Sequence, residues 1–511
     1  MINSTNRYDL EVSFLENEFW YGGIVDKGIC MPLEANSDVV LDMQDNFMSL
    51  DQSAPFMLSS AGRYIWSEKP FVAEVKDAQI ICHGSSEMIL SEGHENLKGA
   101  YADACGKYFS FSKELPDELF FEKPQYNTWI ELQYNQTQEG ILNYAKGILD
   151  NGFPAGILMI DDGWAEDYGV WKFHKGKFSN PKEMVEKLHE MGFKVMLWVI
   201  PVVSPDSMMF RELKSKGCLL QDKNGDIVIS KWWNGYSAVL DISKQEACDI
   251  FKSQLDWLQE EYGVDGFKFD GGDAYFYGGQ LEDEKLFPQM FTEMYNKFAL
   301  QYRFNELRSA WKFAGKAIVT RLQDKHHSWS ESGLNCLIPN SLIQSLLGYV
   351  YHCPDMIGGG DVGCDYSRID EELIVRYAQV SAFMPMMQFS LAPWRVLSEE
   401  KMNIVRNAAL LHVRHSDYIL KYAKEASQTG YPIIRHMAFA FPDEGFETVM
   451  DQFMLGDDLL IAPIVTPNTY KRMVKLPKGM WEDECGKTYQ GDSTIEVEVP
   501  LDRIPYYKWI G

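Results

Sequence analysis

The sequence has no apolar run approaching the ~20 residues that span a bilayer. Its first residues, MINSTNRYDLEVSF, also lack the basic start and apolar stretch of a secretory signal. Both absences predict a cytoplasmic chain. Basic residues are in short supply as well: 48 Lys and Arg face 74 Asp and Glu, a formal net charge of −26. A surface of that sign repels phosphate backbones and anionic lipid, so neither nucleic acid nor a membrane is expected as a partner. The nine cysteines are Cys30, Cys82, Cys105, Cys218, Cys248, Cys336, Cys353, Cys364 and Cys485. They form no CxxC pair and no Cys–His spacing of a zinc site. Reduced, mostly packed thiols are expected, as in a reducing compartment. There the Asn3-Ser-Thr and Asn135-Gln-Thr glycosylation patterns carry no meaning.

What is present fits a folded protein of several parts. The 511 residues suffice for two to four domains, or for one large barrel with appendages. Apolar residues at 46% and charged residues at 24% are ordinary globular proportions. Aromatics reach 14%, which suits a site that stacks on rings such as sugars. No Pro/Ser-rich linker divides the chain, so boundaries must come from changes of pattern.

Residues 1–124 read as short strands with turn punctuation (EVSFLEN, FWYGGIV, RYIWSE, FVAEV, AQIICHG, KYFSFS), the texture of an antiparallel sandwich. Over 125–440 strands and helices alternate. The expected strands are NTWIELQY (127–134), AGILMIDDGW (155–164), FKVMLWVIP (193–201) and DGFKFDGGD (265–273). KAIVTR (316–321), GYVYHCPDM (348–356), FMPMMQFSL (383–391) and PIIRHMAF (432–439) complete the set. Eight strands alternating with helices predict an α/β fold, a (β/α)8 TIM barrel; a doubly wound sheet is the alternative. The long stretch after the third strand, near 205–240, carries Asn224-Gly225 between alternating arms and reads as a hairpin insertion over the barrel top. Residues 441–511 return to strands and predict a C-terminal β-sandwich domain.

In such a barrel, active residues gather at the C-terminal ends of strands. The second expected strand ends in Asp161-Asp162-Gly163-Trp164, and the third carries Trp198. The fourth ends in Lys268-Phe269-Asp270-Gly271-Gly272-Asp273. Arg321 and Asp324 follow the fifth, Asp355 ends the sixth, and Gln388 lies on the seventh with Trp394 just beyond. Strand alternation puts Lys268 and Asp270 on one face, with Phe267 and Phe269 on the other. A charged pair buried at a strand end is costly for structure alone, because desolvation tends to offset the Coulomb gain; a role in a site is the better reading. Carboxylates from different strands facing one cleft suit glycosidic cleavage, where one attacks the anomeric carbon and another protonates the leaving oxygen. The rival use is Mg²⁺ or Ca²⁺ held by Asp161, Asp162, Asp270 and Asp273. Lys268 would compete with a cation there and no metal-loop spacing occurs, so neither metal nor cofactor is expected.

At these residues the sequence resembles glycoside hydrolase family 31, and within it the α-galactosidase-like branch of the myogenesis-regulating glycosidase. The resemblance runs along nearly the whole chain. WYGG and RYIWS stand near its start, then WIELQYNQTQEGILNYAKGILDNGFPAGILMIDDGW and FSNPKEMVEKLHEMGFKVMLWVIPVVSPDS. KWWNGYSAVLDIS, GVDGFKFDGGD, GLNCLIP, LLGYVYHCPDMIGG, FMPMMQFSLAPW and QFMLGDDLLIAPIV follow in family order. The resemblance implies Asp270 as nucleophile and Asp324 as acid/base, with Asp355 and Glu331 as the other nearby carboxylates for the second role. The Arg-Tyr-x-Gly-x-Trp-x-Gly-Asp-Asn surroundings common in the family are absent, and Gln388 and Ser390 stand where most of its α-glucosidases have Arg and His.

IDDGW, with a Lys two residues before the nucleophile, also resembles α-galactosidases of family 36, whose Asp pair binds the galactose 4- and 6-hydroxyls. The expectation is therefore a retaining, exo-acting α-galactosidase on a small glycoside or oligosaccharide. Asp161, Asp162, Lys268, Arg321, Asp355 and Gln388 would bind the sugar, and Trp198, Trp233 and Trp394 would wall it. An α-glucosidase or another α-glycosidase of the family is the alternative, and a carbohydrate-binding protein without catalysis the remote one. A homo-oligomer is compatible with this sequence.

Overall fold

A computed structural model describes residues 7–45, 51–109, 111–278, 281, 285–363, 365 and 368–511. Cys364 and Asn3 lie outside them. At its centre is an eight-stranded, wholly parallel sheet. In chain order its strands are β1 (Gln125–Asn127), β2 (Ile157–Ile160), β3 (Lys194–Val199), β4 (Gly266–Phe269), β5 (Phe304–Leu307), β6 (Val319–Arg321), β7 (His352–Cys353) and β8 (Gln388–Phe389). β8 pairs with β1, and the Ile357 N–H just past β7 donates to the Gln388 carbonyl at 2.9 Å, which brings the two ends together. Each strand is short and, Lys194 apart, buried on both faces, as parallel barrel strands are.

The intervening helices obey local rules. Thr137, Asn180 and Asp370 accept backbone N–H groups at the starts of Gln138–Asp150, Pro181–Glu190 and Glu371–Ser381. Gly263, at φ +76°, closes Gln245–Tyr262 in the left-handed conformation. Among the described residues, no helix is long and apolar enough to cross a membrane.

The structure departs from the sequence reading in four places. The fifth barrel strand is Phe304–Leu307, which the sequence reading missed, so KAIVTR supplies the sixth. PIIRHMAF lies outside the barrel: Ile434–Arg435 pairs antiparallel with Phe453–Leu455 of the C-terminal sheet. In NTWIELQY the strand stops at Asn127, whose Oδ1 accepts the Trp129 N–H at 2.8 Å and starts a helical turn over Trp129–Leu132. KYFSFS does not begin as a strand either: Lys107 and Tyr108 end a helix, Leu97–Tyr108, capped by Asn96, and Ser110 lies outside the described residues.

Before the barrel lie two antiparallel sheets. One runs in the order Tyr8–Ser13, Gln79–Gly84, Phe71–Lys76, Val39–Asp42. The other is built on Gln52–Ser59, flanked by Trp20–Ile24 and by Tyr64–Ser67 with Met88–Ser91. A barrel segment joins this second sheet, because Ala310–Trp311 pairs parallel with Gln52–Ser53. After β3, Val202–Val203, Ile229–Trp232 and Gly235–Val239 form a small antiparallel sheet at the barrel top. Asn224-Gly225 turns the chain just before that sheet, where Gln221 bridges antiparallel to Ile227. The main hairpin turns at Trp233-Asn234.

Six strands form the principal C-terminal sheet, with Lys471–Leu476 and Ser493–Glu498 paired beside it. The eight described cysteines are all free thiols, and Cys82, Cys105, Cys218, Cys336 and Cys353 are buried.

Candidate active site

The C-terminal ends of the barrel strands surround a cavity of about 520 Å³. Trp129, Asp161, Asp162, Trp198, Trp233, Lys268, Asp270, Asp273, Arg308 and Asp324 are among its lining residues. Phe267 and Phe269 of β4 turn away into the helix layer, where both rings meet Tyr302 and Phe269 also meets Tyr295 and Phe298. Lys268 and Asp270 are thereby left facing the cavity. Directly after Asp270 the backbone takes φ of +60° at Gly271 and +68° at Gly272, and a Cβ on Gly272 would overlap the Tyr295 ring. Only glycine fits there, and the turn holds Asp270 at the strand tip.

Asp270 is fully engaged. Its Oδ2 accepts the Trp198 indole N–H at 2.9 Å, and its Oδ1 accepts the Gly271 N–H at 2.8 Å and Arg308 Nε at 2.9 Å. Burial alone would raise its pKa. The charges of Arg308 and Lys268, with hydrogen bonds from Arg308 and Trp198, more than offset this and hold the carboxyl far below the usual range. Arg308 also binds Asp273 at 2.7 Å and lies over the Trp233 ring, 5.6 Å from its centre.

Asp324 sits differently. Its side chain keeps 38% of its surface open, and its Oδ1 meets Arg321 Nη2 at 3.0 Å. Its pKa is raised, first by loss of solvent and then by the charge of Asp270, against the pull of Arg321 and Lys268. The cavity thus pairs a carboxyl kept ionised with one biased toward keeping its proton, the division of labour that acid/base chemistry on a substrate needs.

A second carboxylate pair ends β2. Asp161 Oδ2 is bound by Lys268 Nζ at 2.7 Å, with the Lys268 side chain only 4% exposed. Asp162 accepts Tyr168 Oη at 3.0 and 3.1 Å and Asn234 Nδ2 at 3.0 Å, the latter from the turn of the inserted hairpin. Burial, then the charge of Asp161, pushes Asp162 up to about 7. Its folded-state pKa therefore exceeds its unfolded value, so the folded protein binds the extra proton and Asp162 destabilises the fold increasingly as pH rises from about 4 to about 7. Asp162→Asn should raise Tm at pH 8 by about 1–3 °C and by about a third as much at pH 5, while impairing turnover. Differential scanning fluorimetry at the two pH values checks this, and an equal or opposite shift at pH 5 would refute it.

Beneath the cavity floor, Arg321 is fully buried and joins Asp324 to Asp355 (2.8 Å) and Glu306 (3.4 Å). Burial also pushes Asp355 up to about 7, with the charge of Asp324 adding to it against the pull of Arg321. Gln388 Nε2 donates to Glu306 Oε2 at 2.8 Å and to Gln125 Oε1 at 2.9 Å.

Of the residues expected to touch a sugar, Asp161, Asp162, Trp198, Trp233 and Lys268 line the cavity. Arg321, Asp355 and Gln388 are not among the lining residues and form a buried support below it. Trp394 packs instead beside Tyr144 and Phe153, against Gly147 in the helix layer. Glu331 is exposed on the loop after Asp324 and is not in the lining. Sequence reasoning missed Arg308, Glu306, Tyr168 and Asn234. Glu306 and Arg308 belong to the overlooked fifth strand and its end. A metal has little to bind here, since Asp161 is paired to Lys268, and Asp270 and Asp273 to Arg308. Among the described residues, no group of three or more His, Cys, Asp or Glu could hold a metal ion.

The profile of the glycosyl hydrolases family 31 TIM-barrel domain matches residues 123–422, and that of the family's C-terminal domain matches 430–509. The myogenesis-regulating glycosidase of Mus musculus is 33% identical over 79% of this chain and 58% of its own length. The SITS-binding protein of Tetronarce californica is 31% identical over 55% of this chain and 41% of its own. An alpha-xylosidase of Saccharolobus solfataricus is 25% identical over 78% and 56%. The chain thus spans about half the length of these relatives. In fold it is similar to a Flavobacterium johnsoniae GH31 dextranase complexed with glucose, with a TM-score of 0.84 at 21% identity over 99% of this chain and 67% of that one. With family profiles matched across barrel and C-terminal domain, the chain belongs to glycoside hydrolase family 31.

Proposed function

We propose that this protein is a retaining, exo-acting α-galactosidase that removes terminal α-linked galactose through a covalent glycosyl–Asp270 intermediate. Asp270, ionised under Arg308 and Lys268, attacks the anomeric carbon. Asp324 gives its proton to the departing oxygen and then takes one from the water that releases the sugar. The double displacement asks for carboxyls ~5–5.5 Å apart.

The observation that carries the sugar preference is the buried Asp161–Asp162 pair. Asp161 is oriented by Lys268, and Asp162 by Tyr168 and Asn234. These carboxyls accept hydrogen bonds from an axial 4-hydroxyl and the neighbouring 6-hydroxyl. An equatorial 4-hydroxyl forgoes its hydrogen bond to a buried carboxylate, and sites built to hydrogen-bond a substrate hydroxyl reject such analogues strongly.

A panel of aryl α- and β-glycosides tests this reading. The α-galactoside should exceed the α-glucoside and α-xyloside in kcat/KM by about 10³-fold, with no turnover of the β-galactoside. Comparable or faster turnover of the glucoside or xyloside would move the protein to another α-glycosidase specificity, and no turnover of any would favour a binding protein.

A further inference from the structure

The N-terminal region reaches the barrel mouth at the start of its strand Gln52–Ser59. Gln52 pairs with Ala310, two residues after Arg308. Its side-chain amide donates to the carbonyl of Arg321 at 3.0 Å and to that of Arg308, and accepts from Gln344 Nε2 at 2.7 Å. Asp51, next to it and 1% exposed, accepts the Gln323 N–H at 2.5 Å. Its other oxygen makes no hydrogen bond and lies 3.7 Å from Lys325 Nζ, whose ammonium also meets Asp26 of the sandwich at 2.9 Å. The Lys325 N–H donates to Asp355 at 2.7 Å. The residues on either side of Asp324 are therefore both fastened by a separate sheet layer.

From this juxtaposition we propose that Asp51 is a positioning residue for Asp324, holding the acid/base loop through the Gln323 N–H and the Lys325 ammonium. The proposal rests on the reading of Asp324 as the acid/base. Three features point to positioning rather than simple attachment. Asp51 is a buried carboxylate, an expensive way to attach two layers that apolar contacts would join more cheaply. It grips the two neighbours of Asp324 and not a remote part of the loop. And the adjacent Gln52 holds the carbonyls of the two arginines that pair with Asp270 and Asp324, so one strand end sets the backbone under both carboxyls. A displacement of about 1 Å in a proton donor costs up to about 100-fold in rate. A loop released on one side displaces Asp324 while leaving Asp270 on its own strand.

The test is a leaving-group series on Asp51→Ala, Asp51→Asn and Asp324→Ala, with dinitrophenyl and phenyl α-galactosides. Asp51→Ala should lower kcat/KM on the phenyl substrate by about 10- to 100-fold, and on the dinitrophenyl substrate by less than about threefold. Asp51→Asn, which keeps an oxygen for the Gln323 N–H but loses the charge facing Lys325, should recover part of the loss. Lys325→Gln, which withdraws the ammonium from between Asp26 and Asp51, should show the same split and serves where Asp51→Ala does not fold. An equal loss on both substrates, or none, overturns the proposal and leaves Asp51 a structural contact. A flat series for Asp324→Ala removes the acid/base assignment and the positioning role with it; a steep series there with a flat one for Asp51 removes only the latter.

Discussion

Replacing Asp270 by Asn or Ala should lower kcat by about 10⁴-fold or more while the protein stays folded. Both halves of that expectation have a physical source. In Asp270→Asn the new amide would still fill the space under Trp198 and Arg308 but could not attack an anomeric carbon, and the neighbouring carboxyls are already engaged. Asp273 is bound to Arg308, and Asp161 to Lys268. The same two pairs explain why the fold survives: neither cation is left alone in the interior when Asp270 loses its charge, which is the usual route to a large destabilisation. Circular dichroism and Tm should therefore match the parent. Azide then separates a nucleophile from a residue that merely supports one. Added to Asp270→Gly, it should enter from the side the carboxylate vacated and yield a β-galactosyl azide. An α-azide, or full turnover by Asp270→Asn, would remove Asp270 from this role.

How far the sequence disclosed this site depended on whether function left the apolar pattern of a strand intact. β2 is wholly apolar and β4 is apolar apart from Lys268, so the carboxylates just past them stand out, and alternation alone put Lys268 beside Asp270 on one face. β5 is the opposite case. Its four residues are Phe304, Asn305, Glu306 and Leu307, with Asn305 tied to the Tyr302 carbonyl and the Val319 N–H, and Glu306 tied to Arg321 and Gln388. The barrel interior at that level is polar because it carries the support for Asp324, and the strand loses the mark by which strands are recognised. Arg308, which anchors the nucleophile, was hidden with it. PIIRHMAF has the converse character: it is apolar enough for a barrel strand, yet the buried Arg435 pairs with Glu425 and Asp457 and the segment begins another sheet. Asn234 and Tyr168 arrive from loops, where no period exists to be read, and only the folded chain brings them to Asp162.

The second large effect concerns Asp324, whose role depends on a proton. A general acid matters in proportion to the basicity of the group that leaves. An alkoxide from a disaccharide requires a proton as the bond breaks, whereas a dinitrophenolate hardly does. Asp324→Ala should therefore reduce turnover of a galactosyl disaccharide by about 10³-fold and largely spare the first, glycosylating step on a dinitrophenyl α-galactoside. The second step loses its base, so the intermediate on Asp270 should accumulate and appear as a burst of dinitrophenolate followed by slow release. Azide needs no base. It should speed the slow phase and, approaching from the side where water normally stands, give an α-galactosyl azide, the opposite anomer from the Asp270→Gly product.

The pH profile adds an independent check. Asp324 works as an acid only while protonated, so kcat/KM should fall as pH rises through its raised pKa, and that alkaline limb should vanish for the dinitrophenyl substrate. Asp355→Ala and Glu331→Ala are the controls. Asp355 is buried below the cavity and Glu331 is exposed outside its lining, so neither should produce a burst or an α-azide. Were both signatures to appear with one of these variants and not with Asp324→Ala, the acid/base would pass to that residue, while the family and the assignment of Asp270 would be untouched.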